Sequence, residues 1–67
     1  LQFSARNQLK GKVKRVVPGI VTALVEIDVG GNTISGVITR DSFEELNIRE
    51  GDDLTAVVKA TSVMFMK

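Results

Sequence analysis

Neither cysteine nor histidine occurs anywhere in this 67-residue chain. That double absence limits what it can fold into more than any motif does. A chain of about 60 residues buries only ~60% of the surface it exposes when unfolded. Domains this small usually rely on disulfides, a structural metal or a partner chain. Without thiols there is no disulfide, and without thiols or imidazoles most zinc sites are gone as well. Association with further chains is the route left open, and an apolar content of 43% can supply an interface as well as a core. A multimer is therefore expected, with residues 1–67 read as a single domain.

The same absences exclude much chemistry. There is no histidine-based triad and no thiolate nucleophile. The acids Asp41, Glu44, Glu45, Glu50, Asp52 and Asp53 fall at helix-start and turn positions, where capping and solvation account for them better than a catalytic pair does. Gly30-Gly31 reads as hairpin geometry, not as a phosphate loop opening a helix. The chain is expected not to be an enzyme and to hold no bare metal cation. A net charge of +1 is no polyanion-binding signature. No run of about 18 apolar residues is present to cross a membrane. No signal peptide is visible, so a cytoplasmic location is expected. The chain opens on Leu1 instead of Met, which suits either a processed protein or part of a longer one.

The dominant period is two, which argues for strands. Leu9, Gly11 and Val13 alternate with Lys10, Lys12 and Lys14, and Pro18-Gly19 punctuates the end of that first strand. Val21, Ala23, Val25, Ile27 and Val29 share one face of a second strand, with Thr22, Glu26 and Asp28 on the other. Gly30-Gly31-Asn32 signals a hairpin. Thr33 to Thr39 follows as a third strand with Ile34, Gly36 and Ile38 inward. A short helix is expected next, capped by Asp41 with Glu44 closing a capping box. Phe43 and Leu46 would face the barrel, and Asn47 would end the helix. Leu54–Ala60 reads as a fourth strand and Ser62–Met66 as a fifth. The fold class expected is all-β: a five-stranded OB-like barrel with one short helix between strands three and four. Val63-Met64-Phe65-Met66 is apolar on both faces, which suits a strand covered by another subunit, since an exposed apolar edge would aggregate.

Three polar clusters lack carboxylates. Ser4-Ala5-Arg6-Asn7-Gln8 leads into the first strand, Thr39 and Ser42 flank the helix start, and Lys59-Ala60-Thr61-Ser62 follows the fourth strand. All present donors: hydroxyls, a guanidinium, an ammonium and backbone N–H groups. A fully deprotonated tetrahedral dianion offers only acceptors, so such clusters suit it. Each also has a plainer reading, as a frayed terminus, a helix cap or a solvated lysine.

The block Ser4-Ala5-Arg6-Asn7-Gln8-Leu9-Lys10-Gly11-Lys12-Val13 resembles the opening signature of the molbindins, the small molybdenum-pterin-binding (Mop) proteins. Val37-Ile38-Thr39-x-x-Ser42, Leu46-x-x-x-x-Gly51 and Ala56-Val57-Val58-Lys59-Ala60-Thr61-Ser62-Val63-Met64 match the same pattern in colinear order. The resemblance implies an OB-like fold assembled as a hexamer, a trimer of dimers with exchanged strands. It implies molybdate or tungstate held at subunit interfaces. Ser4 and Arg6 would contact the oxyanion, Thr39 and Ser42 would add donors, and Lys59 would supply charge. The Ala60 N–H would lie beside Lys59, with Thr61 and Ser62 near. The module also ends longer molybdate regulators and transporter ATPases, so a sensing role in such a chain is an alternative to storage or buffering. Stacked pterin is disfavoured, because the chain has no Trp or Tyr and three Phe. Of these, Phe43 and Phe65 read as core or interface residues and only Phe3 is spare. The same shortage argues against a single-stranded nucleic-acid-binding OB domain, despite the basic strand Lys10, Lys12, Lys14 and Arg15.

Overall fold

The computed structural model describes residues 6–67. It contains strands β1 (Asn7–Pro18), β2 (Thr22–Val29), β3 (Asn32–Thr39) and β4 (Asp53–Val58). Helix α1 (Arg40–Glu45) lies between β3 and β4, and a 3-10 turn, Ala60–Ser62, follows β4. The strands form one sheet in the order β3-β2-β1-β4, antiparallel throughout, and it curls to enclose an apolar inner face.

The long β1 is what allows the curl. Its first half, Asn7 to Lys12, pairs with β4, and its second half, Lys12 to Pro18, pairs with β2. At the change of partner the register slips between Val13 and Arg15, so Lys14 has no rung of its own. Such a bulge bends a strand and increases its twist. It also resets the alternation: Val13 and Val16 both turn inward, while Lys14 and Arg15 both face water. The Gly51-Asp52 turn docks at the same bend, with Gly51 N–H donating to the Val13 carbonyl at 2.8 Å and Val13 N–H to that of Asp52 at 2.9 Å.

The hairpin between β2 and β3 forms at Gly30 and Gly31, with φ of 58° and 90°. Positive φ at both central residues is what a type I′ hairpin turn requires. Every inward residue expected on β2 is buried or half-buried except Val21, which lies before the strand begins. The buried core is Val13, Ala23, Val25, Ile27 and Ile48, flanked by half-buried Val16, Ile34, Ile38, Phe43, Leu54 and Ala56. Fully burying one aliphatic side chain contributes roughly 1.5–3 kcal/mol. Five buried residues make a small core for 62 described positions, as a chain without a staple would lead one to expect.

Three expectations need correcting. The helix is capped by Thr39, not Asp41: the Thr39 hydroxyl oxygen accepts from Ser42 N–H at 3.1 Å, and the helix has begun by Arg40. A β-region residue with a side-chain oxygen two or three positions ahead of a free N–H is what a cap needs, and Thr39 satisfies this as the last residue of β3. Leu46 is 62% exposed, and Ile48 takes the core position expected of it. The cause is Asn47, whose φ of 51° turns the chain just after the six-residue helix and swings Ile48 inward. The third correction is the strand count. The described residues form four strands, not five, because Ser62 ends a 3-10 turn and Val63–Lys67 has no regular structure. A strand persists only if its backbone groups are paired. Among the described residues this tail finds no strand partner, and Met64, Phe65 and Met66 are 91%, 94% and 97% exposed.

The Thr39 cap supplies a first testable consequence. Thr39→Ala is expected to cost about 1 kcal/mol of stability, seen in thermal unfolding as a fall in Tm of roughly 4–8 °C. An unchanged Tm would mean that α1 is held by packing alone.

Candidate anion-binding site

The β1–β4 ladder begins with the Asn7–Val58 rung, reinforced by Asn7 Nδ2 donating to the Val58 carbonyl at 3.2 Å. Arg6 precedes Asn7 and Lys59 follows Val58, so the antiparallel register puts both cations at one end of the sheet. Both are exposed, and neither takes part in any of the three ion pairs among the described residues. No carboxylate occurs on the neighbouring rungs; the first one met along β4 is Asp53, opposite Lys12. Immediately beyond Lys59 the chain tightens into the 3-10 turn, where Ser62 N–H donates to the Lys59 carbonyl at 2.9 Å. The leading N–H groups of such a turn have no partner within it. Ala60, Thr61 and Ser62 are all exposed there. Arg6, Lys59, Ala60, Thr61 and Ser62 are thus grouped by one ladder and one turn. Ser4, expected to join them, lies outside the described residues.

Thr39 and Ser42 are elsewhere. They stand where β3 passes into α1, on the opposite edge strand of the sheet. Their side chains serve each other: the Thr39 hydroxyl donates to Ser42 Oγ at 2.9 Å while its oxygen caps the Ser42 N–H. That leaves the Ser42 hydroxyl proton to donate outward. Beside them is a cation that the donor clusters of the sequence do not include. The Arg40 backbone N–H donates to the Val21 carbonyl at 2.9 Å, its Nη1 to the Gly19 carbonyl at 2.8 Å, and its Nε to Glu44 at 2.9 Å. Arg40 therefore ties the helix start to the β1–β2 turn and is a structural cation. Only its place directly after a strand-ending threonine hints at this in the sequence.

The basic strand of β1 is largely spoken for. Lys12 pairs with Asp53 at 2.7 Å, Arg15 with Glu26 at 3.3 Å, and Lys14 Nζ donates to Thr33 Oγ1 at 3.1 Å. The hydrogen bond from Lys12 holds the Asp53 carboxyl below its ordinary value, with charge attraction second, and Asp53 raises Lys12 in return. Both are exposed, so the pair adds little to stability. These partners leave the strand a poor backbone-tracking groove for nucleic acid. A depression beside them is lined by Lys10 and Lys12 but also by Asp28 and Asp53, and carboxylates of that kind repel a dianion.

Between the two edge strands lies an open groove of about 290 Å³. Ile34, Gly36 and Ile38 line it from β3, and Leu54, Ala56 and Val58 from β4, with Val25 and Ile27 at its base. It is chiefly apolar and suits a hydrophobic chain segment better than an ion.

The TOBE domain family model matches residues 4–65. Over 67 residues the chain is 54% identical to molybdenum-pterin-binding protein 2 of Clostridium pasteurianum, covering 98% of both. This chain belongs to the TOBE domain family, among the molybdenum-pterin-binding (Mop) proteins. The fold agrees. A molybdate-binding protein from Sporomusa ovata superposes with a TM-score of 0.95 at 39% identity over the whole of both chains. The cytoplasmic molybdate-binding protein ModG, solved with molybdate bound, superposes with a TM-score of 0.85 at 38% identity, over 90% of this chain and 43% of its own. The relatives of this Mop-family chain are thus named for binding, and the four-stranded sheet with its single short helix is a molybdate-binding-protein fold.

Proposed function

We propose that this chain binds molybdate or tungstate reversibly, between subunits of a cytoplasmic homo-oligomer, for molybdenum storage or buffering, and makes or breaks no bond. The observation that carries the reading is the convergence of Arg6 and Lys59 on one carboxylate-free end of the β1–β4 ladder, beside the Ala60–Ser62 turn. Charge-assisted hydrogen bonds from the guanidinium and ammonium supply attraction. Backbone N–H groups at Ala60 and the hydroxyls of Ser4, Thr61 and Ser62 supply direction. Molybdate and sulfate present the same acceptors, so preference between them follows from cavity size. Molybdate and tungstate are nearly equal in size and both are expected to bind. Pterin is not expected in the site, because the chain has no Trp or Tyr and Phe43, on α1, is half-buried against the core.

Assembly belongs to the same reading. Thr39 ends the other edge strand and Ser42 lies in the helix that follows it, so they reach an ion at Arg6 and Lys59 most readily from a second subunit. The apolar groove and the exposed tail point the same way. The groove lies between two strand edges that pair with no other described strand, and among the described residues Met64, Phe65 and Met66 are left almost fully uncovered. A tail seated in the groove of a second copy would satisfy both, and repetition of that exchange closes a hexamer built as a trimer of dimers. Phe65→Asp is therefore expected to sediment as a monomer at micromolar concentration, since a buried unpaired carboxylate is strongly unfavourable. An oligomer of unchanged size would remove the tail from the interface.

Equilibrium dialysis against molybdate, with sulfate and single-stranded DNA as competitors, tests the function directly. Several oxyanions retained per oligomer at micromolar concentration, displaced by tungstate but not by DNA, is the expected result. No retention of either oxyanion would overturn the reading.

A further inference from the structure

The chain's only readily oxidised side chains are two methionines, because it has no cysteine, histidine, tryptophan or tyrosine. Both methionines lie in the tail. Met64 and Met66 are 91% and 97% exposed, and Phe65 between them is 94% exposed. The groove offered to this tail is lined chiefly by aliphatic side chains from β2, β3 and β4, with Ser35 and Thr55 the polar residues among them. We propose that Met64 and Met66 form an oxidative modification site through which peroxide controls assembly, and with it oxyanion retention. The proposal rests on the reading that the tail seats in the groove of a second copy.

The chemistry is a two-electron oxygen transfer. A lone pair on the methionine sulfur attacks one oxygen of hydrogen peroxide, the O–O bond breaks, and a sulfur–oxygen bond forms. The departing oxygen leaves as water after taking up the proton of the transferred hydroxyl. Sulfur is oxidised and peroxide is reduced, with nothing else consumed. The product is a polar, chiral sulfoxide in place of a flexible apolar thioether. In a chiefly aliphatic groove its oxygen loses water and meets few donors, so each sulfoxide is expected to weaken the subunit contact by roughly tenfold. The two methionines differ from the core in a way that makes this selective. In the separated chain they are open to solvent, whereas a seated tail is shielded. Oxidation therefore captures subunits that have come apart and prevents their return. Molybdate bound between subunits opposes separation and is expected to slow the oxidation.

The test uses the intact molybdate-loaded protein and hydrogen peroxide. Intact mass counts the oxygens added, light scattering gives the assembly size, and dialysis gives the molybdate retained. In the expected result the untreated protein is an oligomer. Peroxide adds one oxygen to each methionine, and the oxidised chains fall to smaller species and release molybdate. Saturating molybdate slows the mass gain about tenfold or more. Methionine sulfoxide reductases reverse the mass gain and restore size and binding. A Met64→Leu/Met66→Leu variant keeps nearly the same side-chain volume, and its size and bound molybdate should be the same before and after peroxide. A doubly oxidised wild-type protein that keeps its size and its molybdate overturns the proposal. So does equal peroxide sensitivity in the leucine variant. An untreated protein that is already monomeric instead removes the assembly reading on which the proposal stands.

Discussion

Lys59→Ala is expected to weaken molybdate retention by roughly 10- to 100-fold while leaving the oligomer intact. The estimate corresponds to the ~1.5–3 kcal/mol attached to a hydrogen bond with a charged partner. Lys59 follows the last residue of β4, and its side chain is exposed and unpaired among the described residues. Its removal therefore leaves no buried charge stranded and opens no core cavity. Arg6→Ala should act in the same direction, and the two losses should fall short of additive, because both groups would address one ion. Lys10→Ala is the control: Lys10 is a cation on the same strand, across from Thr55 and away from the site, and should change affinity by less than about twofold. Dialysis measures the affinities and light scattering the assembly. A Lys59→Ala protein that is monomeric would make Lys59 a structural residue and remove its proposed role in binding.

Gly11→Ala is expected to destabilise the chain by about 2–3 kcal/mol, a fall in Tm of roughly 10–20 °C and the largest loss of any Gly→Ala change at a glycine of ordinary φ. A Cβ at this position would collide with the Asp28 carbonyl oxygen and would lie 2.9 Å from Val29 Cγ2. The first of these is backbone, so it cannot be relieved by a rotamer change. Gly11 sits on the rung just before β1 exchanges β4 for β2, where the strand must bend closely past β2. Gly36→Ala provides the contrast, because a Cβ there meets nothing within 4 Å. Thermal unfolding of the two variants side by side checks the argument. Equal Tm values would mean that the bend relaxes at no cost.

Much of this fold can be read locally. The alternation from Ala23 to Val29, the paired glycines at Gly30 and Gly31, and the helix end at Asn47 each depend on a few neighbouring residues, and all appear in the structure. The bulge at Lys14 was less legible. Lys10, Lys12 and Lys14 alternate regularly, and only the docking of the Gly51-Asp52 turn on Val13 shows why the period breaks there. The helix cap was misplaced by two residues because Thr39 belongs to a strand and a helix at once, which composition does not distinguish. The burial of Ile48 is not legible in the sequence, because it depends on the left-handed turn at Asn47 and not on any period of its own. The site was partly legible. That Lys59 and its neighbours form a donor cluster follows from their spacing alone. That Arg6 stands next to them, 53 positions away along the chain, follows from the β1–β4 register.

Taken alone, the amino-acid sequence determined three things. The chain is a β domain of OB-like order, it has no thiol or imidazole for staple or catalysis, and its donor-rich segments are free of carboxylates. Short-range patterning and side-chain chemistry suffice for all three. Tertiary structure decided which of those segments meet. One ladder joins the two ends of the chain, while Thr39 and Ser42 are held on the opposite edge. It also decided that the last apolar segment, strand-like in sequence, pairs with no other segment among the described residues. A strand is a relation between two segments, and its hydrogen bonds are completed or left open by what lies beside it. The absence of any internal staple thus ends at the same place from which it began, in a small core with an open groove and an uncovered tail.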